Sequence, residues 1–566
     1  MKTFSIRCSL SAALAAVFCT ALCGEVERLA FDFSKPPPFG YFERVWRHSG
    51  TGGVESVEFS VRRPYRRPLA IRITDSSGQT FQSAVPQGSG TWYRHRFRVS
   101  ASWELHFGGA NDGVVHQPVR DFRLLVLGGL EYANPGEVFV KDVAFLEKEP
   151  DAQCGAGEID DVRWREPIPA WSGASPEDDV PWGTGIYLQR QGASEKSFEH
   201  MERLVALAAD AGIGWLREQI VWRQVERNGT LDFSRYDRIL SIVEKHGLKM
   251  CMLFGALDRA VKNTDPDFPE RYCAALRQAV RRYRGRVAAW EICNEPNLPW
   301  PMDPRWVANY RRLLPKATRT IHEEDPAARS VGCSASGLGK SFIRGLSGET
   351  FDDVSFHPYR RFVDDREFTE DLAEVFMAGR ERPMWITEIG WDALAPGYRG
   401  AKSTSQRPVS ASEQAPLMAR AYMVAAAAKG VKAVFGYDFV DDGMVAAGYE
   451  YHMGVVNADL SPKPAYRALA TVCRHFRKGQ PSIETRNDGV RVFRMGGRCA
   501  VWTAGSEGRA VAVEPVGLRA IGLMGGELKP KIVEGRDVFR TDDAHPIFFY
   551  GEISSVVSVE SDGAET

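Results

Sequence analysis

From Trp182 onward the chain alternates between two rhythms, and this alternation limits its fold more than any other feature. Eight apolar runs of strand length occupy residues 183–188, 214–219, 249–254, 287–293, 330–334, 354–357, 384–388 and 431–437. Stretches with helical spacing of apolar residues cover 197–211, 237–246, 269–283, 305–322, 367–379, 412–429 and 464–476. A strand that is apolar along its whole length needs cover on both faces, and an intervening helix supplies it. Eight strands with helical segments over residues 181–477 predict an α/β fold, a (β/α)8 TIM barrel. The alternative is a doubly wound open sheet. It would place a Gly-rich phosphate turn after the first strand, and none is present.

The flanks read differently. Residues 24–150 carry short runs of alternating polarity, such as Val57-Glu58-Phe59-Ser60-Val61 and Leu69-Ala70-Ile71-Arg72-Ile73, separated by turn chemistry such as Asp75-Ser76-Ser77-Gly78. They predict an N-terminal β-sandwich, with Trp92, Trp103 and the loop 108–113 as candidate carbohydrate contacts. Residues 151–180 are polar, acidic and Pro-containing, as a linker is. Residues 478–566 return to short β runs and predict a small C-terminal β-domain with a disordered tail from Glu560.

Residues 1–23 have the form of a cleavable signal peptide: Lys2 and Arg7, an Ala-rich apolar run from Leu10 to Leu22, then charge from Glu25. They predict a secreted or periplasmic protein with no membrane insertion beyond the signal. A lipoprotein cleaved before Cys23 is the variant reading, and the bulky Leu22 argues against it. Lys plus Arg total 72 against 73 for Asp plus Glu, so the net charge of -1 gives no electrostatic case for nucleic acid. Beyond the signal, seven cysteines remain at wide spacing without a CxxC pair, which indicates neither a zinc site nor a disulfide scaffold. No HExxH or calcium-loop spacing occurs, and the chemistry below calls for no metal and no cofactor. Nothing in the sequence fixes the oligomeric state.

Barrel enzymes place reactive groups at the C-terminal ends of their strands. The fourth run, Val287-Ala288-Ala289-Trp290-Glu291-Ile292-Cys293, ends in Asn294-Glu295-Pro296-Asn297. The seventh, Met384-Trp385-Ile386-Thr387, ends in Glu388-Ile389-Gly390-Trp391. Strands four and seven lie on roughly opposite sides of an eight-stranded barrel, so the two carboxyl groups can face each other across a sugar ring. Glycosidic bond cleavage needs such a pair, one protonated to assist the leaving oxygen and one ionised to meet the oxocarbenium-like centre.

The stretch Trp290-Glu291-Ile292-Cys293-Asn294-Glu295-Pro296-Asn297-Leu298 resembles the clan A glycoside hydrolases, and among them family 39, which includes β-xylosidases, α-iduronidases and polysaccharide-cleaving endoglycosidases. The resemblance extends over residues 182–476, with support from Gly229-Thr230-Leu231-Asp232-Phe233-Ser234-Arg235-Tyr236-Asp237 after strand two. It implies a retaining glycosidase with Glu295 as acid/base and Glu388 as nucleophile. By the same resemblance Asn294 binds the sugar 2-hydroxyl, and Arg217, at the end of strand two, keeps Glu388 ionised. His357 and Tyr359, after strand six, orient the nucleophile or contact substrate. Cys293 stands where family members often carry Trp, and Phe435-Gly436-Tyr437-Asp438 stands where the clan often places a Trp platform. Tyr437 or Trp391 is then the expected platform, and Trp300 a further stacking candidate. The competing readings are a carbohydrate-binding protein without turnover and a transglycosylase on the same machinery.

Overall fold

The computed structural model describes residues 26–147 and 180–559, apart from 35–40, 65–66, 86–91, 100–102, 104, 129–134, 228–229, 256–261, 299–301, 361–362, 394–408, 443–451 and 506–507. The signal segment, the linker up to 179, Trp300 and the tail from Glu560 lie outside the described residues.

Eight parallel strands close into a barrel: β1 (Trp182–Gly185), β2 (Trp215–Val221), β3 (Lys249–Gly255), β4 (Ala289–Ile292), β5 (Arg329–Ser336), β6 (Asp353–His357), β7 (Met384–Ile389) and β8 (Val431–Gly436). Each is paired with its sequence neighbours, and β8 closes on β1. The surrounding helices are α1 (Glu195–Asp210), α2 (Ser234–Lys245), α3 (Phe268–Arg282), α4 (Pro304–Glu324), α5 (Lys340–Leu346), α6 (Asp365–Ala378), α7 (Ala411–Ala426) and α8 (Pro464–His475). Sequence periodicity anticipates all of these helices except α5, which spans only seven residues and starts from a left-handed Gly339 instead of a polar cap. By contrast, Ser410 and Glu413 form a reciprocal capping box at α7.

Strand alternation builds the barrel interior in layers. Trp215, Cys251, Ala289, Val331, Trp385, Ala433 and Phe435 form one apolar cluster. It is a floor on which the next layer stands. Two residues further along β2, β4 and β7, on the same face as Trp215, Ala289 and Trp385, come Arg217, Glu291 and Thr387. All three are buried. The interior is therefore apolar below and charged above.

The N-terminal domain is a sandwich of a four-stranded and a five-stranded antiparallel sheet around its own apolar core. Trp103 packs against that core and donates its indole N–H to the Val99 carbonyl, so it is a packing residue and not an open platform. Trp92 lies between Arg62 and Lys141, whose charges sit 5.3 and 4.8 Å from its ring centroid. The C-terminal domain has a six-stranded and a four-stranded sheet. Its Phe493, Trp502 and Phe548 join the same buried cluster as the barrel helices.

The three parts meet at a buried polar junction beside the start of α6. Burial pulls the Arg63 guanidinium of the sandwich down to about 10, against the attraction of Glu367 and Asp364. Arg420 of α7 donates to the Asp543 carbonyl at 2.8 Å and faces Asp365 at 3.5 Å. Trp502 donates to Asp365 at 2.8 Å.

Candidate active site

The mouth of the barrel collects the polar residues that terminate or follow the strands. Beyond β4 the chain turns sharply. Cys293 and Glu295 both adopt left-handed backbone, with φ of 62° and 46°. Such a conformation costs a non-glycine residue about 1–3 kcal/mol and persists only where the surroundings hold it. Here the Glu295 amide donates to the Ser334 carbonyl at 3.0 Å, and Asn297 exchanges two hydrogen bonds with the Ser336 backbone. Within β7 the pairing with β8 loses register between Ile386 and Ile389. That irregularity lets the successive residues Thr387 and Glu388 both reach the site, which strict alternation forbids. The close approach of β7 and β8 requires Gly390, because a Cβ there would lie 1.8 Å from the Tyr437 carbonyl oxygen.

Glu295 and Glu388 face one another, with one oxygen of each and the His357 Nδ1 all within 4.8 Å of one another. His357 Nδ1 lies 2.9 Å from Glu295 and 3.5 Å from Glu388. On its other side, His357 Nε2 meets the hydroxyls of Thr387 at 3.1 Å and Ser334 at 3.3 Å. The two carboxylates differ in access: the Glu295 side chain is 23% exposed and that of Glu388 8%.

Glu388 is saturated with donors. Arg217 reaches its Oε1 at 2.6 Å, and Tyr187 Oη donates to the same oxygen at 3.2 Å. Tyr359 Oη donates to Oε2 at 2.7 Å. Burial alone would raise this carboxyl, but the charges of His357 and Arg217 and the Tyr359 and Arg217 hydrogen bonds hold it below the ordinary range. Burial disfavours a charged His357. The charge of Glu388 and the hydrogen bond to Glu295 outweigh it, so His357 sits above its ordinary value.

Arg217 is the hub. It donates to Glu291 at 2.6 Å, to Glu388, to the Tyr187 hydroxyl and to Asn294 Oδ1 at 2.8 Å. Sequence placed it at the end of strand two. It is instead the third residue of β2, because the strand continues to Val221 and the floor layer sits one step below. Asn294 is exposed, and with its oxygen tied to Arg217 the amide N–H groups are the end left for a substrate hydroxyl.

The structure brings Glu295, Glu388, Asn294, Arg217, His357, Tyr359 and Tyr437 together. Tyr437 makes edge contacts with Tyr187 and Tyr359 at 5.6 and 6.3 Å between ring centroids. Trp391 does not join them. It is fully buried in the main core, and no sugar face can reach it. Its side chain belongs to the cluster packed by the barrel helices. Next to it, the Asp392 carboxyl has no hydrogen-bond partner on either oxygen among the described residues, and burial pushes it up to about 7.

Sequence reasoning passed over Tyr187 and Glu291. Glu291 had a signal: a carboxylate inside an otherwise apolar strand that is buried on both faces requires a partner, and Arg217 is the matching cation. Glu295, His357 and Glu388 are also the grouping of ligand-type side chains, among the described residues, whose donor atoms could converge on a cation.

The fold and the mouth together are a (β/α)8 barrel with opposed carboxylates at the ends of its fourth and seventh strands. No family model and no curated protein matches the chain. Among solved structures it is similar to a family 39 glycoside hydrolase from the gut symbiont Bacteroides cellulosilyticus, at 18% identity, 86% of this chain, 96% of that chain and a TM-score of 0.53. A family 39 β-xylosidase from Caulobacter crescentus aligns at 17% identity over 67% of this chain and 98% of that one, with a TM-score of 0.45. The chain has a family 39-like fold, and at such identity the likeness is one of fold.

Proposed function

We propose that the protein is a retaining glycoside hydrolase acting on the O-glycosidic bonds of an oligo- or polysaccharide, exported to the periplasm or beyond. The observation that carries this reading is the short separation of Glu295 and Glu388, whose nearest oxygens lie within 4.8 Å. Retention goes with carboxyl groups ~5–5.5 Å apart and inversion with ~6.5–9.5 Å, which leaves room for a water.

In the first step Glu388 attacks the anomeric carbon while Glu295 gives its proton to the leaving oxygen. The donors around Glu388 keep it ionised at the start. As the ester forms, negative charge passes from Glu388 to Glu295. His357, in contact with both, is placed to hydrogen-bond the carboxylate that forms. In the second step water gives a proton to Glu295 and attacks the anomeric carbon, the glycosyl–Glu388 bond breaks, and the configuration is restored. Asn294, fixed by Arg217, offers N–H to the sugar hydroxyl beside the reacting carbon, where a hydrogen bond strengthens as positive charge develops.

The test combines stereochemistry with substitution. Anomeric NMR of the first product is expected to show retained configuration, from a panel of aryl glycosides and plant and bacterial polysaccharides. Glu388→Ala is expected to stay folded, lose turnover and give an inverted glycosyl azide with added azide. Net inversion by the wild type would sink the reading.

A further inference from the structure

We propose that Tyr187, in the turn after β1, is a second tyrosine that positions the nucleophile, and that the buried carboxyl of Glu218 holds Tyr187 there. This deepens the proposed reaction and rests on Glu388 as its nucleophile.

Tyr187 contacts the carboxylate directly. Its hydroxyl lies 3.2 Å from Glu388 Oε1 and also accepts from Arg217 Nη1. Arg217 donates to the same Oε1, so cation, phenol and carboxylate form a closed triangle. Tyr359 serves the opposite oxygen, Oε2. The two phenols therefore hold the two ends of one carboxylate. That fixes its rotation about the last side-chain bond and so the direction in which either oxygen can attack.

The backbone at Tyr187 is unusual for an aromatic residue: φ is 43° and ψ is 50°. Several groups hold it there. Glu218 sits on β2 next to Arg217, with its side chain on the opposite face of the strand. It accepts from the amide of Leu188 at 2.5 Å and of Gln219 at 2.6 Å. The Gln189 side chain, with its nitrogen turned inward, reaches Glu218 and the Tyr187 carbonyl, the latter at 2.9 Å. These bonds tie the residues that follow Tyr187 to β2. Burial pushes Glu218 up to about 7, against the hydrogen bonds of Gln219 and Leu188.

The ring is confined as well. A Cβ at Gly185 would lie 3.0 Å from Tyr187 Cε2, so glycine at the end of β1 makes the space the ring occupies. The Arg190 guanidinium lies 4.2 Å from the ring centroid and pairs with Asp442. Consecutive residues of one strand thus face the site from two directions, Arg217 directly and Glu218 through the turn that presents Tyr187.

Tyr187→Phe tests this, because it removes the hydroxyl and keeps the ring. kcat/KM is expected to fall roughly tenfold to a hundredfold, the range for losing one hydrogen bond to a charged group. The loss is expected in kcat more than in KM, with the acidic limb of the pH profile moved upward. Glu218→Gln and Gly185→Ala are expected to move the limb in the same direction by less. Infrared titration of the Glu388 carboxyl, identified by its loss in Glu388→Gln, reads the same effect without turnover. An unmoved Glu388 titration in Tyr187→Phe overturns the proposal, as does an activity loss accompanied only by a lower melting temperature. If the wild type cleaves no glycoside, the functional reading fails, and the infrared titration still decides the role of Tyr187.

Discussion

Replacing Arg217 by Met removes a buried cation that faces two buried carboxylates, Glu291 and Glu388. Arg217 and His357 are the cations of this layer, facing Glu291 and Glu388. After the substitution only His357 remains to balance the two carboxylates. Breaking a buried ion pair by removing one partner costs about 3–5 kcal/mol. For a domain as large as the barrel each kcal/mol is worth about 2 °C, so the melting temperature is expected to drop by roughly 6–10 °C near neutral pH. The pH dependence is the sharper test. The carboxyl of Glu388 is held below its ordinary value, so it contributes stability above the ordinary carboxylate range and loses it as pH falls through its native value. Without Arg217 that contribution shrinks. The gap between variant and wild type should therefore be widest near neutrality and should narrow as pH falls through the native value of Glu388, where that carboxyl protonates. Arg217 also opposes a charge on His357, so its removal favours imidazolium and offsets part of the loss. Adding Glu291→Gln is expected to restore part of the stability and none of the activity. Calorimetric scans from about pH 3 to 8 measure this, with circular dichroism to verify the fold. A drop below about 2 °C, or one that is equal at every pH, would refute the account of Arg217 as charge compensation.

Four further outcomes follow from the same geometry. Glu295→Ala is expected to keep turnover only of aryl glycosides with good leaving groups, and azide should speed it and give a glycosyl azide of retained configuration, read by NMR. Trp391→Ala is expected to cost about 3–5 kcal/mol of stability as a core truncation, seen as a lower melting temperature, whereas Tyr437→Ala should raise KM severalfold. Asp392→Asn removes a carboxyl that burial pushes up to about 7 and that penalises folding when ionised. Its stability advantage should be absent below about pH 4, grow towards pH 7 and stay level above it in thermal melts.

The barrel was legible because its strands are apolar on both faces, and that pattern survives without an alignment. All eight runs coincide with observed strands to within a few residues. Glu295 and Glu388 were legible because each interrupts apolar sequence where a strand stops. Harder to see was anything that depends on which way a side chain points after the strand ends. Trp391 follows Glu388 by three residues, yet it is buried in the core and not at the mouth. Tyr187 lies in an apolar-looking run, and only its left-handed backbone aims the hydroxyl at Glu388. Glu291 was hidden by proximity to Glu295, although the two serve different layers. Helix α5 was invisible because about two turns leave too little periodicity to read.

The junction of Arg63, Arg420, Asp365, Asp543 and Trp502 bears on how this chain can be divided. A barrel expressed alone would present Arg420 and Asp365 to solvent at a surface shaped to exclude it. The sandwich and the C-terminal domain are thus not appendages to be trimmed for convenience. Modular reuse of this chain, by natural recombination or by fusion engineering, has to carry all three parts together, because swapping either flank leaves buried charges of the junction without their partners.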